Sequence, residues 1–190
     1  MGAVPDLTIS YQIDPQDCIV SVSDSWEVFA RANDGAAVLP DKVLGRPLWD
    51  FIQDRSVRQL YRHLVAKARG GEPVEFDYRC DSPSQRRVFL MRIAPVMTER
   101  IEFLSRLLSS EPRPPQGLLD AQSPRSPAVL RICSWCLRVA VTSDEWVEME
   151  AAVRRLKLLH AETLPALTHG ICPRCLEEMV RLLPGLPTGG

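Results

Sequence analysis

The stretch DRSVRQLYRHLVAKAR, residues 54 to 69, carries a helical pattern of apolar side chains. Its apolar residues recur every three or four positions and share one stripe: Val57, Leu60, Tyr61, Leu64, Val65 and Ala68. Gly70 and Gly71 follow directly and favour the end of a helix. The pattern predicts an amphipathic helix that packs its stripe against an apolar surface.

Segments with the two-residue period of strands lie on both sides of this helix. Before it, Leu7, Ile9, Tyr11 and Ile13 alternate with polar residues, and a turn at residues 14–17 leads into CIVSV. After it come VEFDYRC (74–80), RRVFLMRIAP (86–95) and IEFLSRLL (101–108). The predicted order is therefore two strands, helices and three strands, which is an α+β arrangement.

The stretches WEVFARAND and LGRPLWDFIQDRSVRQLYRHL, in this order of elements, resemble the PAS family of sensory domains. The resemblance covers roughly residues 5 to 110. It implies a five-stranded antiparallel sheet that carries its helices between the second and third strands. It also implies a module that senses a small-molecule ligand or binds a protein partner.

The whole chain has the composition of a globular protein without a broad charge field. Its 190 residues are 45% hydrophobic and 25% charged, and the formal net charge is −1. This balance gives no general attraction to nucleic acid or to an anionic membrane. The first residues lack the pattern of a secretory signal, and no stretch approaches the length of a membrane span, so a cytoplasmic protein is expected.

PAS relatives can hold haem through a helical histidine or flavin through a reactive cysteine. His63 lies beyond the edge of the apolar stripe, so haem binding is not expected. No cysteine occurs between Cys18 and Cys80, so the flavin chemistry has no nucleophile. These two cysteines are interpreted as small buried hydrophobic residues. The domain is expected to hold an apolar ligand or none, and the pattern identifies no ligand-binding residue.

Val88 and Leu90 fall on the predicted outward face of their strand, where a solvent-exposed sheet would be polar. Such a surface is normally covered by other apolar groups. Two explanations are open at this point. A terminal segment of the same chain covers the face, or a second copy does so in a homodimer, as in PAS relatives.

The segment EPRPPQGLLDAQSPRSP, residues 111–127, contains five prolines, which deny helix and sheet their backbone hydrogen bonds. We interpret it as a linker between a PAS-like domain at 1–110 and a smaller module at 128–190. That module holds two Cys-x-x-Cys pairs, ICSWC and ICPRC. The four metal-ligand candidates are Cys133, Cys136, Cys172 and Cys175.

Four thiolates in two such pairs are the ligand set of a tetrahedral structural Zn²⁺ site. Pro173 favours a helix that begins at the second pair, where the helix dipole and Arg174 stabilise thiolate. Between the pairs, Thr142 and Glu145 form a capping-box pattern that predicts a helix extending to about Pro165. The arrangement resembles a treble-clef zinc module. Arg131, Arg138 and Arg174 are expected to balance the negative charge of the site.

The stretches ICSWC, SDEWVEME and THGICPRC, within residues 131–180, also resemble the cysteine-rich tails of bacterial signalling proteins. The segment KLLHAETLPAL between them does not match that resemblance. His169 is a candidate ligand, a turn cap or, in our preferred interpretation, a hydrogen-bonding neighbour of a thiolate. Gly170 is expected to allow a left-handed turn.

Other functions for the module remain open at the level of sequence. Thiol redox chemistry would use the Cys-Pro-Arg-Cys pair, with release of zinc on oxidation, and inert buried thiols are a third interpretation. Arg154, Arg155 and Lys157 form a basic patch that glutamates dilute, so nucleic-acid binding is not expected. No enzyme motif is present. The sequence therefore predicts a non-enzymatic cytoplasmic sensory or adaptor protein with a protein partner.

Overall fold

The computed structural model describes residues 6–97 and 99–183. The first half contains β1 (Thr8–Ile13), β2 (Ile19–Val22), α1 (Asp24–Ala32), α2 (Pro40–Val43), α3 (Arg55–Arg69), β3 (Val74–Arg79), β4 (Gln85–Pro95) and β5 (Ile101–Pro112). Short 3₁₀ helices span Ala36–Val38 and Leu48–Phe51. Across the described ranges, no helix is both long enough and apolar enough to cross a membrane.

The five strands form one antiparallel sheet in the order β2-β1-β5-β4-β3. The three helices enter the chain between β2 and β3 and cover one face of the sheet. The strands bury alternate residues, including Ile13, Met91, Ile93 and Phe103, because successive side chains point to opposite faces. The predicted α+β architecture, with a five-stranded antiparallel sheet and its helices between the second and third strands, is confirmed.

Helix α3 begins and ends as its sequence predicts. The Asp54 side chain accepts a hydrogen bond from the Val57 backbone N–H at 2.9 Å, which satisfies one free donor of the first turn. Gly71, with φ of +90°, follows the last turn in a conformation that suits glycine. The predicted stripe is buried except for Tyr61, which is half-buried, and His63 is also half-buried rather than fully in solvent.

The second half forms a sheet that the sequence patterns did not predict. The second half contains β6 (Arg125–Cys133), β7 (Val139–Ala140), β8 (Trp146–Val147), α4 (Met149–Arg155), β9 (Leu164–Gly170) and α5 (Pro173–Arg181). The strand order is β8-β7-β6-β9, and β6 pairs with β9 in parallel. Short 3₁₀ helices span Gly117–Leu119 and Leu158–His160.

The long helix predicted from Thr142 is wrong. The Thr142 hydroxyl does accept a hydrogen bond from the Glu145 N–H at 3.1 Å, but this contact closes the turn between β7 and β8. Trp146 therefore lies in a strand, and the helix begins only at Met149. A Ser/Thr turn and a helix cap use the same local hydrogen bond, so the sequence pattern does not separate them.

The proline-rich segment 111–127 contains more order than a linker implies. β5 runs to Pro112 and β6 begins at Arg125. Between them Leu118 is 1% exposed and packs into a cluster with Ile132 of β6 and Met149 of α4. The division of the chain at 110 and 128 stays a prediction.

The two halves share one continuous core. Trp135, Cys172 and Met179 belong to the same buried cluster as Leu64 and Val65 of α3.

A buried ionic network reinforces the junction. The Asp81 carboxylate, with a fully buried side chain, contacts the guanidinium groups of Arg79 and Arg113, and Arg79 also binds Glu148 of the second half at 2.7 Å.

We predict that Asp81→Asn lowers the free energy of unfolding by about 3–5 kcal/mol, because Arg79 and Arg113 would lose the fully buried carboxylate that they share and keep only their more exposed partners, Glu148 and Glu150. Urea denaturation followed by far-UV circular dichroism measures the change. Asp41→Asn is the control, since that carboxylate is 66% exposed beside Lys42; its effect should stay within about 0.5 kcal/mol. Equal effects of the two substitutions would contradict a stabilising role for the junction network.

Candidate metal centre

The first cysteine pair lies in a tight turn at the end of β6, which we call the knuckle, residues 133–138. The Leu137 N–H donates to the Cys133 carbonyl at 3.0 Å, and the Cys133 N–H donates to the Arg138 carbonyl at 2.8 Å. Leu137 adopts a left-handed conformation with φ of +56°. These bonds reverse the chain and bring both thiols of the pair to one side.

The second pair begins α5, as predicted. Cys172 is the N-cap residue, Pro173 is the first helical residue, and Cys175 lies in the first turn. The pair reaches the knuckle because β9 runs parallel to β6 and pairs Gly170 with Cys133. Both strands therefore end at the same edge of the sheet, and their cysteines meet there.

The four Sγ atoms lie within 4.8 Å of one another. Those of Cys136 and Cys172 are 3.7 Å apart, and the Cys172 N–H points to Cys133 Sγ at 3.5 Å. A tetrahedron with Zn–S bonds of about 2.3 Å has S–S edges of about 3.8 Å, so the cluster is close to the size of a zinc site. All four cysteines are free thiols, and the arrangement can hold a metal ion.

Three of these cysteines are buried, and Cys136 is half-buried. Hydrogen bonds from the thiols of Cys136 and Cys175 lower the pKa of Cys133 to about 2, although burial opposes the shift. Because it shares its proton with Cys133, Cys136 has a pKa raised to about 12, and the pKa of Cys175 is raised strongly for the same reason. The cluster thus favours one thiolate held by neighbouring thiols, and a cation would replace those bridging protons.

The arginines near the cluster differ in what they contact. Arg138 donates from Nε to Glu148 at 3.2 Å. This bond raises the pKa of Arg138, although burial opposes the shift. Burial opposes the charge of Glu148, but hydrogen bonds from Arg79 and Arg138 lower its pKa overall. Glu148 therefore forms ion pairs with both arginines beside the cluster.

Arg174 and Arg131 occupy different places. Arg174 pairs with Glu178 at 3.2 Å and lines a groove with Cys136 and Cys175. Arg131 packs over Gly170, where an added Cβ would lie 2.9 Å from its Cδ atom. The backbone of Gly170 is not left-handed, so the prediction of a turn is wrong. The glycine instead gives room for Arg131.

His169 lies on β9 beside Ile132 in register and is exposed. Within the described part of the chain, no hydrogen bond joins its imidazole to a cysteine. The preferred interpretation as a neighbour of the thiolates therefore finds no direct contact to support it. Its side chain lines a cavity of the first half instead.

Two residues next to the cysteines were missed by the sequence analysis. Trp135 is 4% exposed, and its ring stacks on Tyr61 with centroids 5.7 Å apart. Arg79 at the edge of the first sheet donates its N–H to the Trp135 carbonyl at 2.7 Å and its Nη1 to the Cys136 carbonyl at 3.1 Å. An apolar aromatic residue between two ligands was the only sequence signal for this contact.

The cavity that His169 lines has a volume of about 330 Å³ and lies between α3, β1 and the short helices. Its wall is mainly apolar and includes Ile19, Val43, Leu48 and Val57. In the described residues neither His63 nor any cysteine lines it. The backbone of Cys18 forms an isolated antiparallel β-bridge with Pro47. Cys80 is partly buried beside Phe89, and burial raises the pKa of the Cys80 thiol.

The basic residues Arg154, Arg155 and Lys157 are exposed at the end of α4. Arg155 forms an ion pair with Glu145. Part of the positive charge of the patch is therefore already compensated, as its mixed sequence suggests.

No family model matches the chain, and no curated protein matches it. Among solved structures it is similar to a domain of an HTR-like protein from Haloarcula marismortui ATCC 43049, at 16% identity and a TM-score of 0.37, over 54% of this chain and 98% of that one. It is also similar to the PAS domain of Bordetella pertussis BvgS, at 17% identity and a TM-score of 0.33, over 56% and 73% of the two chains. At these values neither likeness carries an argument about ligand, partner or activity.

Trp135→Ala is predicted to lower the free energy of unfolding by about 3–5 kcal/mol, because it removes a large buried ring from the shared core. Chemical denaturation under reducing conditions measures this loss, and both halves should unfold in one transition. Leu176→Ala on α5 is the control, since Leu176 is 43% exposed. If Trp135→Ala costs no more than Leu176→Ala, the knuckle does not contribute to the core in the way described.

Proposed function

We propose that the chain is a non-enzymatic sensory or adaptor protein in which a PAS-like domain receives a ligand or partner and a four-cysteine module holds a structural Zn²⁺. The observation that carries this proposal is the convergence of four free thiols within 4.8 Å, from two segments of the chain. Reduced thiols are maintained in the cytoplasm, and the proposal locates the protein there.

The donor set supports zinc in a structural role. Four thiolates fill a tetrahedral coordination shell and leave no position for water or substrate, unlike catalytic zinc sites with three protein ligands. Soft sulfur ligands favour zinc, monovalent copper and iron over the hard cations calcium and magnesium. Burial of three of the cysteines limits exchange with solvent.

The cavity supports the sensory part of the proposal. A pocket of about 330 Å³ with a mainly apolar wall is within the size range of small-molecule sites. Burial raises the pKa of Tyr11 and raises that of Tyr61 to about 12, so both phenols that line the cavity are neutral at physiological pH. A ligand suited to this wall is uncharged and largely apolar.

The apolar outer face of the first sheet favours binding of a protein partner, and we propose that this partner is a second copy of the chain. Val88 and Leu90 on β4 are half-buried, and Leu108 on β5 is 37% exposed. Val88 also lines a groove with residues of α5, so the second half supplies part of the cover for this face. The remaining apolar surface is the part that a homodimer would bury.

A thiol redox switch is the second candidate, because Cys136 is the most accessible of the four cysteines and its Sγ lies 3.7 Å from Cys172. Two thiolates and hydrogen peroxide, with two protons, would give one disulfide and two water molecules. The disulfide would remove two ligands and release the metal. Free zinc after peroxide treatment, reversed by a thiol reductant, would favour this candidate.

We predict about one zinc per chain by elemental analysis of protein purified under reducing conditions. Cys172→Ser removes one ligand, so this variant should lose zinc to a chelator that leaves the wild-type protein loaded. Cys18→Ser is the matched control, because Cys18 lies outside the cluster, and it should keep its zinc. Four titratable cluster thiols with no bound metal would contradict the proposal, and stoichiometric iron would contradict its zinc assignment.

A further inference from the structure

We infer that the cysteine module forms one wall of the cavity in the first half, so that zinc and an uncharged, mainly apolar ligand bind with mutually dependent affinities. This inference rests on the proposed zinc site. It adds a second binding partner to that site and assigns the chemical class of the ligand. The carrying observation is that the lining combines residues of the sheet and helices with Ser134 and His169 of the module.

Ser134 and His169 each lie close in sequence to one of the two cysteine pairs. Ser134 lies between Cys133 and Cys136, and its N–H donates to the Gly170 carbonyl at 2.9 Å. His169 precedes that glycine and stands three residues before Cys172. A metal ion that joins the two cysteine pairs therefore also fixes the two segments that carry this wall.

A direct packing contact extends the connection into the cavity. Trp135, the residue after Ser134, stacks on Tyr61, whose side chain also lines the cavity. The Trp135 carbonyl accepts a hydrogen bond from the Arg79 N–H at 2.7 Å, which holds the knuckle against the edge of the first sheet. A shift of the knuckle would move the cavity wall because the packed rings leave little free space between them.

The polar groups of the lining define the class of ligand. No lysine or arginine lines the cavity, so an anionic ligand would lack a counter-charge. Asp54 already caps α3, and Trp26 donates its indole N–H to the Val38 carbonyl at 2.7 Å. Within the described residues, the hydroxyls of Tyr11 and Tyr61 form no hydrogen bond. These hydroxyls, Ser134 and His169 remain to bind a hydroxyl or carbonyl group on an otherwise apolar molecule.

Thermodynamic linkage determines how the metal affinity and the ligand affinity depend on each other. If the metal favours the conformation that closes the cavity, it raises the affinity for the ligand, and the ligand raises the affinity for the metal by the same factor. Couplings between two sites commonly correspond to about 5- to 150-fold changes in affinity. Binding of a ligand in the cavity would then change the metal affinity of the cysteine module.

The test uses the full-length zinc-loaded protein and 2-naphthol, an aromatic probe with one hydroxyl group. Calorimetry measures its dissociation constant for the wild-type protein and for the double variant Ser134→Ala with His169→Ala. We expect the double variant to bind the probe at least about fivefold more weakly. Thr168→Ala is the control, since Thr168 is an exposed neighbour that does not line the cavity, and it should bind the probe like the wild type.

The second measurement is the zinc affinity of each protein by competition with a chelator, without and with saturating 2-naphthol. The probe should tighten zinc binding at least about fivefold in the wild type, and less in the double variant. Unchanged probe affinity in the double variant, unchanged zinc affinity with the probe, or no probe binding to the zinc-loaded wild type would each overturn the inference while leaving the zinc site intact. A chain that takes up no zinc would instead refute the proposed function.

Discussion

The parallel pairing of β6 with β9 is the contact on which the cysteine site depends. The carboxyl ends of parallel strands lie at the same edge of a sheet, so residues that follow the two strands are brought together. Here Cys133 ends β6, and Cys172 follows two residues after the end of β9. An antiparallel pairing would place the two cysteine pairs at opposite edges. The segment containing β7, β8 and α4 provides the crossover that a parallel pair requires.

The same pairing fixes the knuckle against the first sheet. Trp135 projects from the knuckle into the core beneath Tyr61 and Phe76, and Arg79 binds two knuckle carbonyls. A buried ionic network at Asp81 lies beside this contact, and loss of any one of its members would leave a buried charge poorly compensated. Its directional bonds restrict how the two halves can pack. The cysteine module therefore packs directly against the first half.

Sequence patterns were sufficient for the elements whose stability comes from one buried face. α3 and the five strands of the first sheet have clear periods, and the cysteine spacing identified all four members of the cluster. The second sheet was missed for a physical reason. Pro127 in β6 lies where the strand pairing is irregular, and Pro165 lies in β9 at the edge of the sheet, two positions that tolerate proline. Both residues were interpreted as breakers of regular structure, and neither strand shows the alternation of a half-buried strand.

A metal at this place would act on more than its four ligands. Metal that binds the folded chain and not the unfolded chain stabilises the fold by an amount that grows with the ratio of free metal to its dissociation constant. The thiols belong to the same buried cluster as Leu64 and Val65, so that stabilisation would be shared by α3 and the first sheet. Without metal, the thiols must share protons in a buried space, which favours only one thiolate. The stability of the first half would then depend on the metal occupancy of a site formed entirely by residues outside its own sheet.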